Sequence, residues 1–487
     1  MTTPREPWAT GVTGLDLLLA GGLHRHALVV IVGPPGAGKT VLASQILFQA
    51  VQQNRRGLLL TLYAEDHTSL LGHLRPFAFF REPAVGETLT LLSLPSLLGL
   101  TIDTATAALM KTIRESGAQM VLIDGFQGIA DQLHDVTALR RLLAALVTQL
   151  SYLDVTLLLT LTGTAREEPI TMGLTSADVV LGLHYGLDGV RHTRRIEVVK
   201  QRGQAHLPGA HTYTITHTGV TITPQLEVRA PQDMQPRPTG RLTFQVAELD
   251  HVLGGGLTAG TTTLVVGAPG VGKTTLGLTW ALAAEPPGTS IMLSFAERLP
   301  DLQVKADFLG LPLAAALAAE TFTFLQINPV LLNPDAVAER LLAALTPTTQ
   351  RVVIDNAGVL VQVLGGRTAD YLTALGNHLY AAGVTTLLLV EIKAFAGLDF
   401  DVADTPLSIL ADNIVMVQQV VADGVLRRVL AVLKMRYSGY DATLRELVID
   451  DQGVRVLTPA QSTTGVLADA ADASGLTAPS GDSPPGA

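Results

Sequence analysis

The sequence predicts an α/β fold with two tandem domains, each built on a mainly parallel β-sheet flanked by helices. Three observations support this fold: short apolar segments alternate with longer helical segments, several motifs occur twice, and each half carries a glycine-rich loop directly after an apolar segment. Short apolar segments bounded by polar residues are typical of strands buried on both faces of a parallel sheet. Their alternation with helices is typical of parallel strands joined by crossover helices.

The composition restricts the protein to a few classes. The 487 residues suit two to three domains, and a hydrophobic content of 47% allows sizeable cores. The chain has no cysteine, which excludes disulfides and thiolate metal sites. Its formal net charge of −10 disfavours broad electrostatic binding to nucleic acid, so we do not expect DNA as a partner.

The hydropathy pattern predicts a protein that does not enter a membrane. Residues 1–13 have no apolar segment of the kind that a secretory signal needs. The longest apolar runs fall well short of the ~18 residues required for a membrane-spanning helix. We therefore expect a cytoplasmic location.

The chain is duplicated. Related motifs follow one another in the same order in both halves and at a nearly constant offset, which chance does not explain. The pairs are GPPGAGKT at 33–40 and GAPGVGKT at 267–274, YAED at 63–66 and FAER at 295–298, VLID at 121–124 and VVID at 352–355, and KQR at 200–202 and KMR at 434–436.

The duplication and the composition together predict the domain boundaries. A segment rich in proline and charge separates the repeats, and the C-terminal segment is rich in Ala, Ser, Gly, Pro and Asp without aromatic residues. We expect a first domain at 1–224, a linker at 225–241, a second domain at 242–457, and a disordered tail at 458–487.

The first repeat shows the expected order of elements. Apolar segments predict strands, and the segments between them predict helices. The predicted elements are a strand at 27–33, a helix from Lys39, a strand at 57–63, a helix from His67, a strand at 90–93, a helix from Ile102, a strand at 120–124, a helix from Val136 and a strand at 155–160. Three later segments, 177–185, 194–200 and 211–216, predict an antiparallel extension of the sheet.

The two glycine-rich loops match the pattern GxxxxGK[ST] and predict ATP and Mg²⁺ as cofactors. Glycines allow backbone N–H groups to converge on phosphate oxygens, and the following helix N-terminus favours negative charge. The lysines are expected to reach the β- and γ-phosphates, and the threonine hydroxyls to hold Mg²⁺. The predicted cofactor-binding residues are Gly33, Gly36, Gly38, Lys39, Thr40, Val41, Gly267, Gly270, Gly272, Lys273, Thr274 and Thr275.

Asp124 and Asp355 each end an apolar strand downstream of a loop. Ligands of open α/β sheets bind at the carboxyl ends of the strands, so a carboxylate there suits a Walker B role. We expect these aspartates to hold Mg²⁺ together with Thr40 and Thr274. The alternative is an ordinary strand-ending Asp in a turn, which two matched copies disfavour.

Glu65 and Glu297 follow the second strand of each repeat. An acidic residue at this place suits a catalytic group that orients or deprotonates the attacking water. The alternative is a carboxylate at a helix start, stabilised by the helix dipole.

Two cationic pairs occupy matching positions late in the repeats. Lys200 and Arg202 are two residues apart on a predicted strand, as are Lys434 and Arg436, so each pair lies on one face. Two cations on one face suit a catalytic contact with a phosphate approached from outside. The alternative is a solvated basic edge strand.

From about Gly11 to Val456, the chain resembles the KaiC family of tandem RecA-like P-loop ATPases. The resemblance lies in both loops, their LDxxxxGGL-like lead-ins, VLIDGFQGIADQL, KQRGQAHLPGAHTYTIT and KMRYSGYDATLREL. It implies a homo-oligomer, a hexameric double ring with ATP bound at subunit interfaces, in which the Lys-x-Arg pairs contact the neighbour's nucleotide. His206 matches the family's histidine in the same segment.

The chain departs from the family pattern at several positions. The family's paired glutamates become Ala64–Glu65 and Ala296–Glu297, and the hydroxyl residue after the Walker B aspartate becomes Gly125 or Asn356. The other departures are Tyr437 and Tyr440 for the Gly and His of KxRGxxH, and Ser408–Ile409 for the adjacent Ser-Thr phosphorylation pair of clock-type members.

These features predict an ATPase that works as a signalling or assembly switch, with room for other protein partners. The alternatives are a RecA-type DNA recombinase or helicase, an autokinase clock component, and a nucleotide-gated scaffold with little turnover. We expect hydrolysis mainly in the first domain, because Asp66 follows Glu65 there. In the second domain Arg298 follows Glu297, and its charge is expected to pair with that glutamate.

Overall fold

The computed structural model divides the chain into two compact units, Met1–Arg229 and Ala230–Ala487. The residues that it describes are 7–61, 67–93, 101–126, 136–166, 174–188, 191–231, 239–285, 288–392, 411–422 and 424–458.

The described part of the first unit contains a nine-stranded sheet with the order β3-β2-β4-β5-β1-β6-β7-β8-β9. Six neighbouring strands, from β3 to β6, run parallel, and the last three continue the sheet in antiparallel fashion. The strands are β1 Leu28–Gly33, β2 Gly57–Thr61, β3 Leu89–Ser93, β4 Met120–Asp124, β5 Thr156–Thr162, β6 Val179–Asp188, β7 Arg191–Gln201, β8 His211–Thr216 and β9 Gly219–Thr223.

Helices cover both faces of this sheet, which explains why β1 is apolar at every position. Val29 and Ile31 belong to the same core cluster as Phe48 of α2. Val30, with the opposite orientation in the strand, belongs to the cluster that contains Leu143 of α5. The helices are α1 Leu15–Leu18, α2 Lys39–Gln52, α3 His67–Leu74, α4 Ile102–Ser116 and α5 Val136–Leu153.

The second unit repeats this architecture. Its described residues form a nine-stranded sheet of order β14-β13-β15-β16-β12-β17-β18-β19-β20 and a small two-stranded sheet, β10-β11. The strands are β10 Arg241–Leu242, β11 Leu257–Thr258, β12 Thr262–Gly267, β13 Thr289–Ser294, β14 Phe322–Gln326, β15 Thr349–Asp355, β16 Thr385–Glu391, β17 Asn413–Ala422, β18 Val425–Met435, β19 Arg445–Asp450 and β20 Gly453–Val456.

The helices of the second unit also pack on the sheet through apolar faces. Val265 of β12 shares a core cluster with Leu276 and Trp280 of the helix that follows it. The helices are α6 Ala247–Val252, α7 Lys273–Leu282, α8 Leu299–Phe308, α9 Leu313–Ala318, α10 Pro334–Ala344, α11 Gly358–Leu364 and α12 Thr368–Ala381.

The predicted fold class of two tandem RecA-like domains is confirmed, with one difference in strand direction. Residues 177–185 were expected to begin an antiparallel extension, but β6 pairs parallel with β1 and antiparallel only with β7. The antiparallel part therefore begins one strand later than the sequence indicates. Among the helices that the structure describes, none combines the length and apolar character needed to cross a membrane. The predicted tail, from Pro459 onwards, lies outside the described residues.

Candidate nucleotide-binding sites

The carboxyl ends of the parallel strands meet at one edge of each sheet, and the predicted phosphate-loop and Walker B residues lie there. In the first domain β1 ends at Gly33 and β4 ends at Asp124. In the second domain β12 ends at Gly267 and β15 ends at Asp355. The predicted phosphate loop and the predicted metal-binding carboxylate are therefore brought to the same edge in both domains.

The glycines of both loops are required by the backbone. The φ angles are 77° at Gly36 and 87° at Gly38, and 77° at Gly270 and 103° at Gly272. Such positive values strain any residue with a Cβ. A Cβ on Gly38 would lie 2.3 Å from Ile215 Cδ1, and one on Gly272 would lie 2.3 Å from Ile449 Cδ1. Each loop therefore requires glycine at the position directly before the following helix, α2 or α7.

The loop lysines fold back onto their own loops. Lys39 Nζ donates to the carbonyl oxygens of Gly33 at 2.8 Å and Pro34 at 3.1 Å. Lys273 Nζ makes the matching bonds to Gly267 at 2.8 Å and Ala268 at 2.7 Å. Burial lowers the pKa of both ammonium groups. The two cations are thus held within the loops, where phosphate oxygens can replace the carbonyl acceptors.

The predicted metal ligands of the first domain lie in contact. Thr40 Oγ1 donates to Asp124 at 3.1 and 3.0 Å from the two carboxylate oxygens. Thr160, at the end of the neighbouring strand β5, donates to Asp124 Oδ1 at 2.6 Å and accepts from Gly125 N at 2.9 Å. Two hydroxyls therefore fix the position of this carboxylate. The sequence motifs do not single out Thr160, although a polar residue within an apolar strand is a usable signal.

The second domain has one such contact: Thr274 Oγ1 donates to Asp355 Oδ2 at 2.9 Å. Leu389 lies beside Asp355 in the neighbouring strand and offers no hydroxyl. Asp355 is only 5% exposed. Burial raises the pKa of Asp355, and the nearby charge of Glu297 raises it further, against the hydrogen bond from Thr274.

The donor set in both domains fits Mg²⁺ held together with a nucleotide. Hydroxyl and carboxylate oxygens are hard ligands, and Mg²⁺ is usually bound by one or two carboxylates plus substrate phosphates. Within the described residues, no group of three or more His, Asp or Glu side chains could hold a metal ion without such help.

The two predicted water-orienting glutamates differ in what the structure describes of them. Glu65 lies outside the described residues, together with Ala64 and Asp66. Glu297 is described: its N–H donates to Ser294 Oγ at 3.0 Å, and its Oε1 contacts Lys305 Nζ at 2.7 Å. The expected ion pair with Arg298 is therefore replaced by a pair with a lysine on α8. The helix brings Lys305 back over the strand end, which the sequence order does not reveal.

The sequence motifs do not single out a further acidic residue that lies beside the second loop. Glu391 is the last residue of β16 and lies beside Gly267 in the parallel register. Its Oε2 accepts a hydrogen bond from Asn356 Nδ2 at 3.0 Å. The charged residue that ends the apolar segment TTLLLVE was the available signal. In the first domain the corresponding residue, beside Gly33, is Thr162.

The two cations of each pair contact the same short segment of chain. Lys200 Nζ and Arg202 Nη2 both donate to the Thr175 carbonyl, at 2.6 and 2.8 Å. In the second domain Lys434 Nζ donates to the Ala411 carbonyl at 2.6 Å, and Arg436 lies 3.4 Å from Asp412.

These pairs lie far from the phosphate loop of their own domain. Arg202 N bonds to Asp178 O, and Asp178 N bonds to Leu28 O, so Arg202 is level with the first residue of β1. The loop begins at the last residue of that strand, Gly33. A rise of ~3.3 Å per residue separates these levels by about 17 Å. The same bonds, through Asp412 to Thr262, place Arg436 level with the start of β12.

The wall behind the phosphate loop differs between the domains. In the first domain Tyr185 lies against Gly36, and Arg194 stacks on its ring with the guanidinium carbon 4.6 Å from the centroid. Tyr213 Oη also donates to the Ala37 carbonyl. In the second domain the strand pair that matches Tyr185 and Arg194 is Gln419 and Arg428, and a Cβ on Gly270 would meet nothing within 4 Å. The first loop is therefore packed more closely than the second.

The model of one protein family matches both halves of the chain. The family model described as "ATPase: KaiC" matches residues 8–227 and again residues 243–461. The chain is 25% identical over 459 residues to "Circadian clock oscillator protein KaiC 1" of Synechocystis sp.. The aligned region covers 91% of this chain and 88% of that protein. It is 25% identical over 493 residues to "Circadian clock protein KaiC3" of the same organism, with 95% and 94% covered. The KaiC of Synechococcus elongatus is 24% identical over 458 residues, with 91% and 88% covered.

Proposed function

Because the chain belongs to the KaiC family of ATPases and carries two domains of that family in tandem, we propose that both domains bind Mg·ATP and that the protein hydrolyses it. One observation carries this proposal. In each domain, a loop whose backbone requires glycine ends beside a threonine hydroxyl that contacts the strand-ending aspartate, Thr40 with Asp124 and Thr274 with Asp355.

The chemistry follows from this arrangement. Backbone N–H groups of the loop and the lysine ammonium bind the phosphate oxygens, and the helix dipole adds favourable potential. Thr40 with Asp124, and Thr274 with Asp355, would hold Mg²⁺, which when bound neutralises charge on the β- and γ-phosphate oxygens. Hydrolysis then requires a carboxylate that orients water and a cation that stabilises the transition-state charge.

We further propose that this cation comes from a neighbouring copy of the chain, in a ring that is a hexamer. The support is the position of Arg202 and Arg436, about 17 Å along the sheet from their own phosphate loops. An exposed guanidinium at that distance has no route to its own nucleotide but is available to an adjacent subunit. Such a ring places ATP at subunit interfaces and makes assembly depend on nucleotide, as a signalling or assembly switch requires.

The two domains are proposed to hydrolyse ATP at different rates, with the first domain faster. Two hydroxyls fix Asp124, whereas Asp355 has one and lies beside a leucine. Lys305 Nζ pairs with Glu297 Oε1 at 2.7 Å, which occupies one of the two carboxylate oxygens that a water could use. The second domain then holds ATP longer and stabilises the ring.

The proposed domain boundaries remain those of the sequence analysis, with a linker at 225–241. Their support is the division of the chain after Arg229 and the gap between the two family matches.

A cytoplasmic location is proposed because the chain has no cysteine. Ser408 and Ile409, on which the autokinase alternative depends, lie outside the described residues.

The test is a mass measurement of the native particle with and without ATP, with phosphate release recorded in the same sample. We expect a six-chain particle with ATP and steady phosphate release. A monomer at micromolar concentration in saturating ATP would contradict the ring, and the absence of phosphate release would contradict the ATPase. Salt-sensitive binding of single-stranded DNA would instead favour the recombinase alternative.

A further inference from the structure

Glu391 occupies a place beside the phosphate loop of the second domain. It pairs with Gly267 in the parallel ladder between β16 and β12, and the next residue, Ile392, donates its N–H to the Gly267 carbonyl at 3.2 Å. The same carbonyl accepts a bond from Lys273 Nζ. Neighbouring strands lie ~4.8 Å apart, so the backbone of Glu391 is one strand spacing from the first residue of the loop.

A hydrogen bond holds the Glu391 carboxylate at this edge. Asn356, which directly follows Asp355, donates its amide to Glu391 Oε2 at 3.0 Å. The same side chain accepts from Gly358 N through Oδ1 at 3.0 Å, which sets the orientation of the amide group. Among the contacts of the described residues, Glu391 Oε2 takes this bond and Oε1 takes none. Within the described residues, one carboxylate oxygen is thus anchored and the other has no partner.

The first domain lacks this pair. Thr162 stands in the position of Glu391, and Gly125 stands in the position of Asn356. Both replacements fall in the same domain, so an acidic group and the amide that anchors it occur together in the second site and are both missing from the first. This joint change suggests a shared role.

The charges of the second site also favour Glu391 over Glu297. Lys305 lies 2.7 Å from Glu297, so that carboxylate already has a cationic partner. Glu391 pairs in the ladder with Gly267, and the Gly267 carbonyl accepts the hydrogen bond from Lys273 Nζ. Glu391 therefore lies near the cation that is proposed to reach the γ-phosphate.

We propose that Glu391 is a catalytic residue of the second domain, where its free carboxylate oxygen accepts a hydrogen bond from the water that attacks the γ-phosphate. This inference rests on the proposed function. The water oxygen forms a bond to the γ-phosphorus while the bond from that phosphorus to the bridging oxygen of ADP breaks. One water proton passes to Glu391 and from there to the released phosphate, which regenerates the carboxylate. Turnover in the second domain, slow as it is, then depends on Glu391 more than on Glu297.

The test uses the full chain with Lys39→Ala, so that turnover reports on the second domain. Glu391→Gln keeps the size of the side chain and an acceptor for Asn356, and Glu391→Thr copies the first domain. Both are expected to lower phosphate release by about 10²-fold, the usual contribution of a proton-accepting group. ADP and ATP affinities, measured by calorimetry, are expected to stay within about threefold, because binding uses the loop and the metal. Trapping of ADP with aluminium fluoride is expected to fall with the rate.

Two matched variants complete the design. Glu297→Gln is expected to lower phosphate release much less than Glu391→Gln. Glu320→Gln, an exposed glutamate of the same domain, is expected to change neither rate nor affinity. Unchanged release in Glu391→Gln, a larger loss in Glu297→Gln, or no release at all from the Lys39→Ala chain that still binds ATP would each overturn the assignment. Loss of ATP binding by the Lys39→Ala chain would overturn both the assignment and the proposal that the second domain is a nucleotide site.

Discussion

The two phosphate-loop sites share a backbone but differ in the side chains that surround it. Both have glycines at positive φ, a lysine folded onto the loop and a threonine against the strand-ending aspartate. Around the first loop, a second hydroxyl donates to the aspartate, and a tyrosine ring stacks against an arginine. Around the second loop, a lysine pairs with the glutamate that follows the second strand, and another glutamate ends the strand beside the loop.

This difference indicates that a duplicated ATPase can vary two properties independently, namely nucleotide binding and hydrolysis. Nucleotide binding depends on the backbone geometry of the loop and on the proposed metal ligands, and both domains have these features. Hydrolysis depends on groups placed for the transition state, and these lie on strand ends where a single substitution changes the chemistry. We therefore expect two sites of similar affinity and unequal rate, and the following experiments are designed to break or sharpen that contrast.

The largest expected effect concerns the cations that we propose come from a neighbouring subunit. Arg202→Ala is expected to slow hydrolysis at the first site by about 10³-fold, with a much smaller loss of ATP affinity, since such a cation mainly stabilises transition-state charge. Arg436→Ala is expected to remove only the small contribution of the second site. Steady-state phosphate release and equilibrium binding measure the two quantities. Equal losses of rate and affinity in Arg202→Ala would mean that the residue stabilises bound ATP and the transition state equally and has no catalytic role.

A smaller effect is expected for the glutamates of the second strands. Glu65→Gln is expected to lower total phosphate release by about 10²-fold, because the group that orients water is lost. Glu297→Gln is expected to remove a minor part, because Lys305 already occupies a carboxylate oxygen of Glu297. Native mass, recorded in parallel, is expected to stay that of the assembled ring in both variants. The reverse ranking of rates would show that the second domain is the faster enzyme.

The smallest effect is expected at Thr160, which gives a matched comparison of the two aspartates. Thr160→Val keeps the side-chain shape and removes the hydroxyl that donates to Asp124. A hydrogen bond to a charged group contributes about 2 kcal/mol, so Mg²⁺-dependent ATP binding at the first site is expected to weaken by up to about 30-fold. Leu389→Thr, the reciprocal change, is expected to strengthen binding at the second site. Titration with Mg²⁺ at fixed ATP measures both, and an unchanged Mg²⁺ requirement in Thr160→Val would show that the hydroxyl has no part in the metal site.

Much of the fold follows from the sequence because local patterns determine it. The segment 27–33 predicts a strand, since helices cover both faces of β1 and every position must be apolar. The loops are predictable because only glycine tolerates the backbone at Gly38 and Gly272. The direction of β6 is not predictable in this way, because its pairing with β1 depends on a path through space that its own residues do not encode.

The side-chain contacts of the site were less accessible to sequence reasoning. Thr160 meets Asp124 only because two neighbouring strands end at the same edge. Lys305 contacts Glu297 from the second turn of α8, so the prediction that the adjacent Arg298 pairs with Glu297 is wrong. Glu391 was missed for a related reason: a single acidic residue at a strand end has no recognisable spacing, and its meaning appears only beside Gly267 and Asn356.

The most direct test of the contrast compares Lys39→Ala with Lys273→Ala, with bound nucleotide and phosphate release measured on the same samples. Each substitution is expected to remove about half of the bound ATP, because each loop binds one nucleotide with similar affinity. Lys273→Ala is expected to retain most of the phosphate release of the unmodified protein, and Lys39→Ala to lose most of it. If either variant keeps the full complement of nucleotide, that loop is not a binding site. If Lys273→Ala loses most of the release, the unequal division of binding and hydrolysis between the two domains is contradicted.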